Sequence, residues 1–347
     1  MTEKVSKKRK VEENINVEEN QKRATDAGLW FEDGNIILIA QYTPFKVHRG
    51  LLSRKSEVFR DMFTLPPPES PNKCDLMDGI PIVHMSDNWE DLSIVLSVLY
   101  DGQAFFGFQQ QIIHFQTIAA LLRLGHKYGL TELEQEAIAR LKRLFPTELD
   151  DFFDEYTGSK YDRDNRSLCC PDSKIHLKSS DAVEAINLAR TYNIPSILPS
   201  AFYICSRLPI NLLVKGVPTL GSRVSRNMLS RADLVRCLEG QIELSRRYVL
   251  RWETLHEAIG KGSCIDTKLC LSSKLEWAKE GHRAWQYQDA IGCCLLDSDW
   301  ATSGRSQELL CDGCDGKRES LWEKFRRETW NDLSVIFDLQ NNKARGT

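Results

Sequence analysis

Between residues 28 and 146 the spacing of apolar side chains changes period several times, and each change predicts an element. Ile36-Ile37-Leu38-Ile39-Ala40 is an apolar run of strand length, set off by the turn signal Asp33-Gly34-Asn35. Gln41-Tyr42 separates it from Pro44-Phe45-Lys46-Val47-His48, which reads as the second strand of a hairpin. Leu51, Leu52, Val58, Phe59, Met62 and Phe63 then fall at helical spacing and predict a short helix pair with one apolar face. The prolines of 66–71 stop that pair in an exposed loop. A strand over Ile80–His84 leads to Asp87, the expected N-cap of a helix carrying Trp89, Leu92, Val95, Leu96 and Leu99, which closes at Asp101-Gly102. Ile112, Phe115, Ile118, Ala119 and Leu122 share one helical face, widened by Leu121 and Leu124. Gly129 ends that helix, and Thr131-Glu132-Leu133-Glu134 reads as a capping box opening the next, which runs to Pro146. Three strands with about five helices make 28–146 an α/β unit of ordinary domain size.

Beyond it the period is helical. Asp150-Asp151 and Ser159–Ser167 read as a linker. A helix is expected from Asp181, as cap, with Val183, Ile186, Ala189 and the Arg190 stem on its apolar face; Ile197–Ser206 is another, broken by Leu208-Pro209. Ser230-Arg231-Ala232-Asp233 opens a longer helix whose apolar face is predicted to be Leu234, Val235, Leu238, Ile242 and Val249. Near the C-terminus Leu321, Trp322, Phe325 and Trp330, followed by Leu333, Val335, Ile336, Phe337 and Leu339, imply a small aromatic module docking on these helices. The fold class expected is α+β: a tail over 1–27, an α/β domain over 28–146, an all-α extension over 147–260 and a Cys/Trp module over 261–347.

Composition changes this picture only at its edges. Apolar residues make up 41% of 347, enough for packed cores. No apolar run approaches the ~18 residues that span a bilayer. Residues 1–27, rich in Lys, Arg, Glu and Asn without periodicity or an apolar signal region, are expected to be disordered. Within them Lys7-Lys8-Arg9-Lys10 is a compact basic run that reads as a nuclear-import signal. Forty-six basic against forty-nine acidic side chains give −3, which excludes a globally basic nucleic-acid coat. Eleven cysteines, an odd number without a secretion signal, favour a reducing compartment, nucleus or cytoplasm; Cys205 and Cys237 read as small buried apolar groups.

Several strings carry a resemblance. Asp33 to Ile39, then Phe45-Lys46-Val47-His48-Arg49-Gly50-Leu51-Leu52, then Ser56-Glu57-Val58-Phe59, and later Leu99-Tyr100-Asp101-Gly102, resemble the BTB/POZ domain over residues 28–146. The F-x-x-H-[KR] hairpin, the x-L-L that follows and the L-Y-x-G turn are the motifs matched. The wider pattern is similar to the expanded BTB family of mushroom-forming (basidiomycete) fungi, and the helices after 180 resemble a BACK segment. In BTB transcription factors the position of Asn35 is usually Asp, which builds a charged pocket with the basic residue after the histidine. Asn35 cannot supply that charge to Arg49, which argues against a conventional corepressor pocket. Asp33 could substitute only in a different strand register. His48 reads as a hydrogen-bonded scaffold histidine, because no nucleophile or second acid occupies a matching motif position.

Cys311-Asp312-Gly313-Cys314 is the one close ligand-like spacing, able to aim two thiolates at one zinc ion. Cys264 and Cys270 are the expected partners, with His256 and His282 in reserve; the alternatives are reduced surface thiols or a simple helix-start turn. A redox dithiol fits less well, since no strand leads into Leu309. Gly-rich phosphate loops, H-E-x-x-H and G-x-S-x-G are absent, so the chain is not expected to be an enzyme, and structural zinc is the only cofactor expected. The resemblance implies a protein–protein interaction scaffold that self-associates, acting as a nuclear regulator. One alternative is a substrate adaptor of a cullin-type ubiquitin ligase, which recovery of a cullin by affinity capture would select. Another is nucleic-acid binding by a C-terminal zinc module, opposed by the balance of Lys317, Arg318, Lys324, Arg326 and Arg327 against Asp312, Asp315, Glu319, Glu323 and Glu328. No membrane partner is expected.

Overall fold

Two strands joined by the shortest of turns begin the fold. In the computed structural model, which describes residues 28–65, 76–102, 113–156, 167–169, 175–218, 226–262, 264–274 and 310–340, β1 (Ile36–Ala40) pairs antiparallel with β2 (Thr43–Val47). The register runs from Ile36 opposite Val47 to Ala40 opposite Thr43. Only Gln41 and Tyr42 connect them, both at positive φ (45° and 71°), the backbone that matches the twist of a tight hairpin. The basic run Lys7–Lys10, the proline loop and the residues around His282 and Cys293-Cys294 lie outside the described residues.

The described residues fall into two units, one ending at Arg140 and one beginning at Leu141. In the first, β4 (Ile80–Met85) runs parallel to β1 and carries the two-residue β3 (Leu76–Met77) on its far edge, in the order β2-β1-β4-β3. β3 is a strand that apolar periodicity did not signal. The predicted helix pair is α1 (Arg49–Lys55) and α2 (Glu57–Thr64). Ser56 separates them: its Oγ accepts from the Phe59 amide at 3.0 Å and donates to the Tyr128 carbonyl at 2.5 Å. Leu52, Phe59 and Phe63 are buried, whereas Val58 faces solvent.

Two predicted caps are corrected. α3 (Trp89–Asp101) is capped by Asn88, whose Oδ1 accepts from the Glu90 amide at 2.7 Å. Asp87 accepts instead from the Tyr128 hydroxyl and, at 2.6 Å, from Lys127, both from the end of α4 (Phe115–Lys127). The capping box at 131–134 does not form either. Thr131 is already inside α5 (Thr131–Leu144), the Leu133 and Glu134 amides bond the Leu130 carbonyl, and the Glu134 carboxylate meets His126 at 2.9 Å.

The second unit is mostly helical. α6 (Leu149–Tyr156) precedes a small hairpin, β5 (Ser167–Cys169) with β6 (Ile175–Lys178), and then α7 (Asp181–Thr191). Asp181 is the first residue of α7 rather than its cap, and its carboxylate accepts from the Lys178 amide at 2.8 Å. α8 (Leu198–Ser206) and the short α9 (Ile210–Lys215) follow, then the 28-residue α10 (Arg231–Ala258), which Ser230 caps by accepting from the Asp233 amide at 3.1 Å. α10 is oriented differently from the prediction. It buries Asp233, Cys237, Gly240, Gln241, Leu244, Tyr248, Arg251 and Leu255, while Val235, Ile242 and Val249 are exposed.

Two polar members of that face, Asp233 and Gln241, are paired from outside the helix. Asp233 accepts from Arg190 of α7 at 2.8 Å, and Gln241 donates to the carbonyls of Ser206 and Leu208 that end α8, at 2.5 and 3.1 Å. α12 (Asp312–Asn331) and the single turn α13 (Leu333–Ile336) complete the unit; α11, residues 267–274, is described with the cysteines below. Trp330 lies 4.6 Å from Phe152, and its indole donates to the Thr147 carbonyl at 2.6 Å. Phe337 stacks on Phe202 at 5.3 Å directly over Gly240. Val335, expected in the apolar segment, points outward. Cys205 and Cys237 are free and buried where α8 meets α10; the thiol–thiol hydrogen bond, with burial, raises the Cys205 pKa.

Candidate functional site

In the first unit the matched motif residues form a clasp. Phe45, Val47, Leu52 and Phe59 are core, Leu51 is half-buried, and Gly102, at φ 57°, caps α3 with its amide on the Val98 carbonyl. His48, at the end of the hairpin, donates its backbone N–H to the Tyr100 hydroxyl at 2.8 Å, and its ring Nδ1 lies 2.9 Å from the same oxygen. Its Nε2 is 3.1 Å from Asp33, and Phe31 stacks on Tyr100 at 4.4 Å. Asp33 therefore reaches the histidine in the register present, not Arg49. Asn35 Oδ1 accepts from the Arg49 amide at 2.8 Å, which fixes the start of α1. The Arg49 guanidinium turns to the Phe63 carbonyl and lies 5.4 Å from that ring.

This Asp–His–Tyr chain was not legible from motif positions, because Asp33 and Tyr100 are far apart in sequence. Its chemistry is that of a staple. Burial raises the Tyr100 pKa, opposed by the His48 amide and reinforced by the Asp33 charge, so the phenol stays protonated at neutral pH and is a poor nucleophile. The chain ties the hairpin to α3.

The second unit holds a different chemistry. α10 ends at Ala258 with Ile259 as its C-cap, and Gly260 and Gly262, at φ 81° and 66°, turn the chain back on itself. That turn delivers Cys264 in a loop and Cys270 on α11. Cys311 stands immediately before α12, with Cys314 in its first turn, so the C-x-x-C is also a helix start. The four Sγ atoms lie within 4.8 Å of one another, and Cys311 and Cys264 are 3.9 Å apart. Cys270, Cys311 and Cys314 are buried, with Ile259, Leu310 and Trp252 packed around them. Tetrahedral zinc–thiolate bonds of about 2.3 Å need sulfurs about 3.8 Å apart, so the spacing requires little contraction. His256 is not part of the group.

Backbone amides point at these sulfurs. Ile265 N–H donates to Cys311 Sγ, Gly260 N–H to Cys314 Sγ and Cys311 N–H to Cys270 Sγ, each at 3.4 Å. Such donors favour thiolate over thiol and are the outer shell that a metal–thiolate centre uses. The amides of Asp266 and then Ile265 pull the Cys311 pKa down to about 6, while burial pushes Cys270 up to about 12 and raises Cys314. Cys311 is thus the sulfur most readily ionised, beside Cys270 and Cys314, whose thiols burial disfavours from ionising. No spacing rule signals these amide donors; the glycine pair Gly260-Lys261-Gly262 ahead of Cys264 was the one hint of the turn.

Residues 31–143 match the BTB/POZ domain family, a span that contains the whole His48 clasp and excludes the four cysteines. No curated protein matches the chain.

Proposed function

We propose that the chain, having a BTB/POZ domain at residues 31–143, is a self-associating scaffold that works in the nucleus and whose helical unit is held at one end by a structural zinc ion. BTB/POZ domains mediate protein–protein association, and the domain match is the observation that carries the reading. Tyr42, 82% exposed at the hairpin tip, and the outward Val58, Leu65 and Leu76 supply apolar contact surface on that unit. Light scattering on the full chain tests it. A dimer or larger mass is expected at tens of micromolar, and a strictly monomeric mass would overturn the reading.

The nuclear part rests on Lys7-Lys8-Arg9-Lys10. Residues 1–26 fused to a fluorescent reporter should concentrate it in nuclei, and alanine at those four positions should abolish this. An even distribution of the unmutated fusion counts against import.

The zinc part is supported by the four converging sulfurs and the amides aimed at three of them. An all-cysteine set leaves no coordination position for water or substrate, which suits a structural role rather than a catalytic one. Cys264, Cys270, Cys311 and Cys314 would hold the ion, tying the end of α10 to the start of α12.

A further inference from the structure

A helix packed on one side is expected to be polar on the other, but on α10 an apolar series runs among the charges of the outer side. Opposite its buried face, Val235, Ile242 and Val249 stand 46%, 70% and 40% exposed, one every seven residues. That repeat keeps them on one stripe, about 21 Å long at 1.5 Å per residue. Single exposed apolar residues need no explanation, but an aligned series on an otherwise solvent-facing helix marks a contact surface.

The charges on the same stripe say what fits it. In chain order the exposed residues along that stripe from 231 to 253 read Arg231, Val235, Glu239, Ile242, Arg246, Val249 and Glu253, with the exposed Ala232 and Leu250 at its edge. Laid against its own reverse about Ile242, the series places Arg231 opposite Glu253, Val235 opposite Val249 and Ile242 opposite itself, with Glu239 within one residue of Arg246. A parallel copy in register would set Arg on Arg and Glu on Glu. The stripe is therefore complementary to an antiparallel second copy and selects against a parallel one. Arg246 currently meets Glu243 of its own helix at 3.4 Å, an exposed pair of little strength that leaves it available.

We propose that the outer face of α10 is a self-association surface, on which a second copy of this chain docks its own α10 antiparallel about a two-fold axis at Ile242. The contact is isologous, so it closes a pair rather than growing a filament. One helix pair is smaller than a standard stable interface. It adds to whatever other association brings two chains together, by raising the effective concentration of one face for the other. It lies within residues 231–253 and does not depend on the BTB/POZ reading.

Thiol cross-linking of the full chain tests the geometry directly. With a short bifunctional maleimide and peptide mapping by mass spectrometry, Ile242→Cys should cross-link to its own copy through the substituted position. Val235→Cys should cross-link in a mixture with Val249→Cys and several-fold less with itself. The wild-type chain controls for the native thiols. In the Ile242→Cys background, Glu239→Arg or Arg246→Glu alone should lower the yield at least severalfold, and mixing the two variants should restore it. Absence of the self-cross-link, equal yields from matched and mismatched positions, or links from position 242 only to residues 275–309 of the same molecule would overturn the proposal. A dimer by light scattering that gives no such cross-link overturns this surface and leaves the BTB/POZ reading standing.

Discussion

The full chain, purified without chelator, is expected to carry one zinc ion per molecule, and Cys314→Ala or Cys270→Ala should lose it. Both sulfurs are buried and each accepts a backbone amide, so they are held in place before the ion arrives. Losing a ligand should weaken metal binding by more than the ~10–100-fold typical of losing an outer-shell partner. Structural zinc supplies folding free energy outright, on the order of 10 kcal/mol in small zinc peptides, so stripping it should loosen residues 259–274 and 310–314. The fall in stability of the helical unit as a whole should be smaller, because Trp330 and Phe337 anchor α12 and α13 independently of the cysteines. Metal analysis with thiol counting checks this. Four thiols should be slow to modify in the loaded protein and become reactive after chelation, while circular dichroism reports the helices. Metal-free protein whose four clustered thiols react freely would sink the zinc reading. Bound iron would keep the site and replace the ion, since tetrahedral sulfur ligands suit both.

Gly240→Ala is expected to lower the stability of the helical unit, the reverse of what an alanine in mid-helix ordinarily does. A Cβ at this position would lie 2.1 Å from Phe337 Cε1, far inside contact distance. The ring cannot withdraw, because Phe337 is fully buried and stacked on Phe202. Overpacking a well-filled core costs roughly 1–3 kcal/mol, against a gain of about 1 kcal/mol in helix propensity. Gly240→Val should cost more, since its branches enter the same space. Thermal unfolding of the full chain measures this, and Phe337→Ala in the Gly240→Ala background separates the contact from other effects. If the clash is the cause, the two changes should be clearly non-additive, with the double variant more stable than the sum of the single losses predicts. Full additivity would place the cost elsewhere.

These expectations draw on the sequence and the tertiary structure in different proportions. The hairpin Ile36–Val47, the helix opening at Ser230 and the break at Leu208-Pro209 depend on residues only a few positions apart, and strand spacing and local helix signals disclosed them. The BTB/POZ motifs were readable for a related reason: the F-x-x-H and L-Y-x-G strings are local, and the family match falls on them.

Reading failed wherever a side chain had a better partner far away. Asp87 had the right chemistry to cap α3, but Tyr128 and Lys127 take its carboxylate, and Asn88 caps instead. Glu134 had the spacing of a capping box, yet His126 draws it aside.

α10 was misread for a deeper reason. Apolar residues occur on both of its sides, and hydrophobicity does not say which side faces the core. The face containing Asp233, Gln241 and Arg251 is buried because Arg190, the carbonyls ending α8 and the aromatic side chains of Tyr248, Trp322 and Phe325 receive those polar groups. Gly240 leaves the gap that Phe337 fills. The cysteines show the same division. Residue type and the C-x-x-C spacing nominated Cys311 and Cys314 as ligands, but convergence with Cys264 and Cys270, and the amides that point at their sulfurs, came only from the turn at Gly260-Gly262 and the packing of α12 against α10. Short-range order is written in neighbouring residues, whereas the choice of buried face and the assembly of a site require partners that only the folded chain brings within reach.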